Sequence, residues 1–210
     1  MTTETLLPLF PLEVVIFPGT KIPLHIFEQR YRLMISEAIS GYSAFGIILV
    51  RNQQIVAEGC SAVVERVTKK HEDGRLDIDV RGRKRFKTLE LDQSLPYLQA
   101  RVEYFEDHSR VPVNKTVLAE VQQHADRLAD LLGVGEPDVI GATLSEPSFH
   151  IVHGLPLELD FKQALLGKRS EAERLADLGE YLPSLIERVQ TAGRVKKLAA
   201  TNGKGRMPHE

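Results

Sequence analysis

The chain of 210 residues has one cysteine, no tryptophan and no apolar run long enough to cross a membrane. Cys60 alone excludes an internal disulfide and a zinc site built from several cysteines. The start, Met1 to Glu4, lacks the basic residues and apolar stretch of a signal peptide, so we expect a cytoplasmic protein without a membrane partner. With 27 basic and 29 acidic residues the net charge is -2, and no overall positive field attracts nucleic acid.

Prolines interrupt the first apolar segment, residues 7–19, too often for a helix to form. Pro8, Pro11 and Pro18 each fix φ and remove a backbone donor, so the segment is predicted to be extended. The next segment has helical spacing and is predicted to form an amphipathic helix that ends near Gly41. Its apolar face consists of Phe27, Tyr31, Met34, Ile35 and Ala38.

Residues 42–107 have the pattern of strands and turns. An apolar run at 44–50 predicts a buried strand, and Asp73-Gly74 predicts the tight turn of a hairpin. A further corner is expected at Gly82. At least five short strands are predicted here, which is typical of a small barrel or sandwich.

The pattern becomes helical after Val113. A helix closed by Gly133 is predicted to bury Val117, Val121, Ala125, Leu128 and Leu132. The pairs Asp160-x-x-Gln163 and Ser170-x-x-Glu173 have the form of capping boxes, so each predicts the start of a helix. Pro183 is expected to kink or divide the last helix, and the tail from Gly193 is predicted to be disordered.

Several motifs stand in the order and at the spacing of one known family. They are Leu7-Pro8-Leu9-Phe10-Pro11-Leu12, the run from Pro23 to Arg32, Gly59-Cys60-x-Ala62, Gly82-x-x-Arg85-Phe86, Pro147-Ser148-Phe149 and Glu173-Arg174-Leu175. With them the chain resembles the LON amino-terminal domain, the substrate-binding region of Lon-type ATP-dependent proteases. It departs at Gly167, where the family commonly has a glutamate, and in the loop from Leu155 to Phe161, which differs slightly from the family's usual version.

The resemblance implies a fold of the α+β class. It implies a PUA-like β-barrel with one inserted helix in residues 1–110, followed by a small α-helical subdomain in residues 113–192. Residues 193–210 would form the disordered tail. The chain is accordingly interpreted as a stand-alone LON-domain protein without ATPase or peptidase domains.

No enzymatic machinery is predicted. The sequence has no Gly-x-x-x-x-Gly-Lys-Ser/Thr phosphate loop, and no segment remains for a Ser-Lys peptidase domain. Cys60 has no sequence signal of a paired base, and His150 and His153 have no third metal ligand near them in the sequence. No catalytic residue, metal site or cofactor is therefore predicted, and a small-molecule enzyme is disfavoured.

The resemblance implies a non-catalytic module that binds unfolded or degradation-marked polypeptides, as an adaptor or regulator of a separate ATP-dependent protease. Binding of unfolded segments requires exposed apolar surface, and large aromatic side chains are the first candidates for it. The candidate residues are Phe10, Phe17, Phe27, Tyr31, Tyr104 and Phe149.

The alternative function is RNA binding through a basic corner. Its residues are Arg81, Arg83, Lys84, Arg85 and Lys87. Acidic residues on the neighbouring predicted strands favour a solvated turn with cross-strand ion pairs instead. They are Glu65, Glu72, Asp73, Asp77, Asp79, Glu90 and Asp92.

Overall fold

The computed structural model describes residues 6–108, 113–135 and 146–202, with the backbone alone for 196–202. The chain divides into two compact units. The first comprises residues 1–110 and 156–170, and the second comprises residues 111–155 and 171–210. Residues 156–170, expected in the helical subdomain, thus belong to the first unit.

The described residues contain six strands and five helices. The strands are β1 (Leu7–Leu12), β2 (Lys21–Ile26), β3 (Phe45–Arg51), β4 (Gln54–Lys70), β5 (Leu76–Asp92) and β6 (Gln99–Phe105). The helices are α1 (Gln29–Gly41), α2 (Lys115–Leu132), α3 (Pro147–His153), α4 (Leu159–Gly167) and α5 (Glu171–Asn202). Among the helices so described, none is both long enough and apolar enough to span a bilayer.

The strands of the first unit close into a barrel. Their order is β2-β5-β4-β3-β1-β6, and β5 also pairs with β6. Strand β5 is 17 residues long, so its first half pairs with β2 and its second half with β6. Helix α1 follows β2, which confirms the α+β fold with one early inserted helix. Leu9, Ile48 and Phe86 pack together in the core.

Strand β5 does not turn at Gly82, where the sequence predicted a corner. It continues to Asp92 with an irregular register against β4, where Ala62 pairs with Gly82 and Cys60 with Arg85. Gly82 exchanges backbone hydrogen bonds with the neighbouring turn, donating to the Thr20 carbonyl at 2.9 Å. A Cβ at position 82 would lie 2.1 Å from the Phe17 carbonyl oxygen. A glycine is therefore required by close backbone approach rather than by a turn.

The first helix forms as its spacing predicted, with one exception. Tyr31, Met34, Ile35 and Ala38 are buried in α1. Phe27, which was expected on the same apolar face, precedes the helix and has 60% of its surface exposed. The helix begins at Gln29, so helical spacing no longer controls the direction of residue 27.

Helix α4 has no capping box, contrary to the prediction from Asp160-x-x-Gln163. Its N-cap is Glu158, which makes no side-chain capping hydrogen bond. The Gln163 amide instead donates to the Glu58 carbonyl of β4 at 3.0 Å. The Gln163 side chain is therefore occupied by this contact and does not cap the helix.

The second unit contains α2, α3 and α5. Asn114 caps α2 by accepting from the backbone of Thr116 and Val117, and Gly133 ends the helix at φ 65°. Arg174 of α5 is fully buried and donates to Glu171, which in turn accepts from the backbone and hydroxyl of Ser148 in α3. This network joins α3 to α5.

Helix α5 is longer than the sequence suggested. Pro183 lies inside it without dividing it, and the helix continues past Gly193 to Asn202. The segment was predicted to be disordered, but its Arg, Lys, Leu and Ala residues have high helix propensity and extend the helix. Residues 203–210 of the predicted tail lie outside the described residues.

We predict that Gly82→Ala destabilises the first unit by about 2 to 3 kcal/mol, because the added methyl group meets backbone that cannot move aside. Urea unfolding measures the change. Gly41→Ala is the matched control, since a Cβ there makes only ordinary contacts with Ser43 at 3.6 Å or more. Equal stability of the two variants would contradict the close approach.

A second prediction concerns Tyr97, whose hydroxyl donates to the Glu37 carboxylate. Burial and this hydrogen bond raise the pKa of Tyr97 to about 12. Because the unfolded chain releases this proton near pH 10, we expect the tyrosine to stabilise the fold below that pH and to lose its contribution between about pH 10 and 12. Tyrosinate absorbance during a pH titration should show a component near pH 12 that Tyr97→Phe removes and Tyr42→Phe retains.

Candidate functional site

The first unit carries a surface groove that brings three of the predicted aromatic residues together. It lies where the ends of β1 and β2 meet the start of α1 and the β3–β4 turn, and its volume is about 480 Å³. We call it the aromatic groove. Its lining is formed by Phe10, Pro11, Leu12, His25, Ile26, Phe27, Glu28, Arg30, Tyr31, Val50, Gln53 and Ile55.

Phe27 is the exposed aromatic side chain of the groove. It follows Ile26, the buried last residue of β2, so the alternation of an extended chain directs Phe27 away from the core. Its ring stacks on His25 with centroids 6.0 Å apart and an interplanar angle of 23°. The groove thus presents a large apolar face to solvent.

Phe10 and Tyr31 are buried and line the same groove as Phe27. Their centroids are 4.3 Å apart, and the Arg30 guanidinium lies 4.6 Å from the Tyr31 centroid. Burial raises the pKa of Tyr31, and the positive charge of Arg30 partly opposes that change. The phenol therefore stays neutral at physiological pH.

The charged groups that line the groove neutralise each other. Arg30 and Glu28 form an ion pair at 2.8 Å. At the other side, Asn52 and Gln53 have positive φ values of 50° and 64°, as a two-residue hairpin turn requires, and this turn holds Gln53 at the groove. The groove therefore offers apolar surface and neutral hydrogen-bonding groups.

The other three predicted aromatic residues lie elsewhere. Phe17 is fully buried in the first unit, and Phe149 is fully buried in the second. Tyr104 of β6 is 48% exposed, but it stands edge-on against Phe86 rather than in the groove. The sequence did not identify His25, Leu12 or Val50 as lining residues, because their proximity depends on strand pairing.

The predicted basic corner does not present its five side chains together. Arg81 donates to Glu65 at 2.7 Å and to the Gly19 carbonyl at 3.0 Å. Arg85 is buried. Arg83, Lys84 and Lys87 are exposed, with Lys84 lying 6.0 Å from the Tyr104 centroid.

Arg85 acts as an internal anchor of the first unit. It donates to the Leu166 carbonyl at 3.2 Å, to the Lys168 carbonyl at 2.5 Å and to the Asp107 carboxylate at 2.6 Å. The first two acceptors lie at the end of α4. This contact and the bond from Gln163 to Glu58 explain why residues 156–170 belong with the barrel.

Asp77 and Asp79 of β5, which the sequence analysis named among the acidic neighbours of the basic corner, take separate partners. Asp79 pairs with Arg66 at 2.6 Å. Asp77 lies between two histidines, and hydrogen bonds from His25 and then His71 hold the pKa of its carboxyl below the usual value. The two aspartates therefore do not form an acid-base pair.

The described residues thus form a closed β-barrel with one inserted helix, followed by further helices, which is an α+β architecture with an apolar surface groove. The profile of the ATP-dependent protease La (LON) substrate-binding domain matches residues 6–184. The chain belongs to this family.

Solved structures agree with this assignment. The Lon N-terminal domain protein from Xanthomonas campestris is 25% identical, with a TM-score of 0.65 over 84% of this chain and 98% of that one. The N-terminal domain of the Mycobacterium avium complex Lon protease has a TM-score of 0.61 at 16% identity over 85% of this chain and 98% of that one, and it supports the fold alone.

Full-length proteases match over a small part of their length. The Lon protease of Anaeromyxobacter dehalogenans is 35% identical over 50% of this chain and 13% of its own. The Lon protease of Dictyoglomus thermophilum is 24% identical over 90% of this chain and 26% of its own. The similarity to proteases concerns their substrate-binding domain.

We predict that Arg85→Lys destabilises the first unit by about 2 to 4 kcal/mol, because an ammonium group cannot reproduce the guanidinium's fork of hydrogen bonds in a buried site. Thermal and urea unfolding measure the loss. The control is Arg83→Lys at the exposed position two residues earlier, which we expect to change stability by less than about 0.5 kcal/mol. Similar effects of the two changes would contradict the anchoring role.

Proposed function

We propose that the chain is a non-catalytic module that binds unfolded or degradation-marked polypeptides in the aromatic groove. The observation that carries the proposal is Phe27, a phenylalanine with 60% of its surface exposed in a groove bounded by other apolar side chains. An exposed apolar site of this kind gains free energy when it covers an apolar side chain of a partner.

The lining favours broad selection of apolar segments over a fixed sequence. The aromatic and aliphatic side chains give area, while His25 and Gln53 offer hydrogen-bonding groups beside them. Because Glu28 and Arg30 neutralise each other, binding should depend little on salt. Apolar segments, which folded proteins bury and unfolded proteins expose, match the chemistry of this lining.

The module would act on proteolysis by delivering its polypeptide to a separate ATP-dependent protease, as an adaptor or regulator. Membership of the LON substrate-binding family supports the polypeptide-binding part of this role. It requires the groove to release its polypeptide, so an affinity in about the micromolar range suits the task better than tight binding.

We predict that Phe27→Ala weakens polypeptide binding roughly five- to thirtyfold, or about 1 to 2 kcal/mol, without lowering the melting temperature. Fluorescence anisotropy measures binding to a labelled polypeptide that has been reduced and carboxymethylated so that it cannot fold. The exposed ring contributes to the groove but little to the core, so stability should remain.

Leu89→Ala is the matched control, because Leu89 is also about half exposed in the first unit but does not line the groove. Its binding should equal that of the unmodified chain. Equal weakening by both variants, or no weakening by Phe27→Ala, would contradict polypeptide binding in the groove.

Titration of a labelled structured RNA at low and high salt tests the alternative function, RNA binding. Tight RNA binding that falls steeply with salt would transfer the function to Arg83, Lys84 and Lys87.

A further inference from the structure

Two histidines and one aspartate meet on the surface of the first unit. His25 Nδ1 lies 2.5 Å from Asp77 Oδ1, and His71 Nε2 lies 2.8 Å from Asp77 Oδ2. The three potential ligand atoms all lie within 4.8 Å of one another. The cluster unites residues that are 52 and 6 positions apart in the chain.

The backbone fixes each of the three positions. His25 and Asp77 are direct partners in the antiparallel pairing of β2 with β5. His71 lies in the tight β4–β5 hairpin, where its amide donates to the Arg75 carbonyl at 2.9 Å and its carbonyl accepts from Gly74 at 3.0 Å. Because these positions are set by strand pairing and turn geometry, little ordering is needed to bring the side chains together.

Two imidazole nitrogens and one carboxylate oxygen form a ligand set that zinc uses in proteins. Zinc takes such ligands at about 2.0 to 2.2 Å in a tetrahedron, with water able to occupy a fourth position. Small side-chain rotations would bring the three atoms around one ion. The side chains are 45%, 32% and 20% exposed for His25, Asp77 and His71, so an ion and its water can enter from solvent.

We propose that His25, His71 and Asp77 form a binding site for a divalent transition-metal ion of the zinc class. The proposed metal site rests on different contacts from the proposed polypeptide binding, although the two share His25, which stacks on Phe27 and lines the aromatic groove. The chemistry and the spacing of the three side chains fit such an ion.

The test uses the full chain without an affinity tag, titrated with Zn²⁺ against a chromophoric chelator. We expect one equivalent to bind in about the micromolar range, and we expect His25→Ala, His71→Ala and Asp77→Ala each to weaken binding at least about tenfold. His108→Ala is the control, because it removes an exposed histidine that lies outside the cluster, and it should leave binding unchanged.

Imidazole NMR signals provide a second measurement, which requires no substitution. Zinc should shift the signals of His25 and His71 in the unmodified chain and leave those of His108 in place. The absence of one-equivalent binding, or binding that survives both histidine substitutions, would overturn the site. Zinc-induced shifts confined to other histidines would overturn it as well.

Discussion

The pairing of β5 with three other strands is the constraint on which the first unit depends. Its length lets one strand join β2 along residues 76–81, β6 along residues 85–92 and β4 on its other side. The same strand places Gly82 against the Phe17 carbonyl, turns Arg85 toward the end of α4 and sets Asp77 beside His25. The barrel closure, the α4 anchor and the histidine cluster all follow from this one strand.

The aromatic groove is a consequence of how β2 ends. Ile26 must enter the core, and the next residue of the extended chain then faces outward, which leaves Phe27 exposed before α1 begins. An exposed phenylalanine contributes little to folding, and a polypeptide-binding role would account for its presence. The paired charges of Glu28 and Arg30 keep the groove neutral, which suits apolar partners that share no charge pattern.

Sequence patterns predicted the elements that local physics controls. The prolines excluded a helix at 7–19, Asp73-Gly74 marked the hairpin, and Gly133 marked the end of α2. Features set by distant contacts were missed. Gln163 has a distant partner at Glu58 instead of capping α4, and Gly82 serves a backbone approach from residue 17. Three of the six candidate aromatic residues line one groove. The sequence could not show which three, because their proximity depends on strand pairing that no local pattern encodes.

The proposed function requires apolar polypeptide segments to occupy the aromatic groove. Mapping an unfolded polypeptide onto the isotope-labelled chain by amide chemical shifts tests it most directly, since every backbone position reports at once. We expect the largest shifts to cluster at Leu12, Ile26, Phe27, Val50 and Ile55. Shifts centred on Arg83, Lys84 and Lys87, or confined to the second unit, would contradict it.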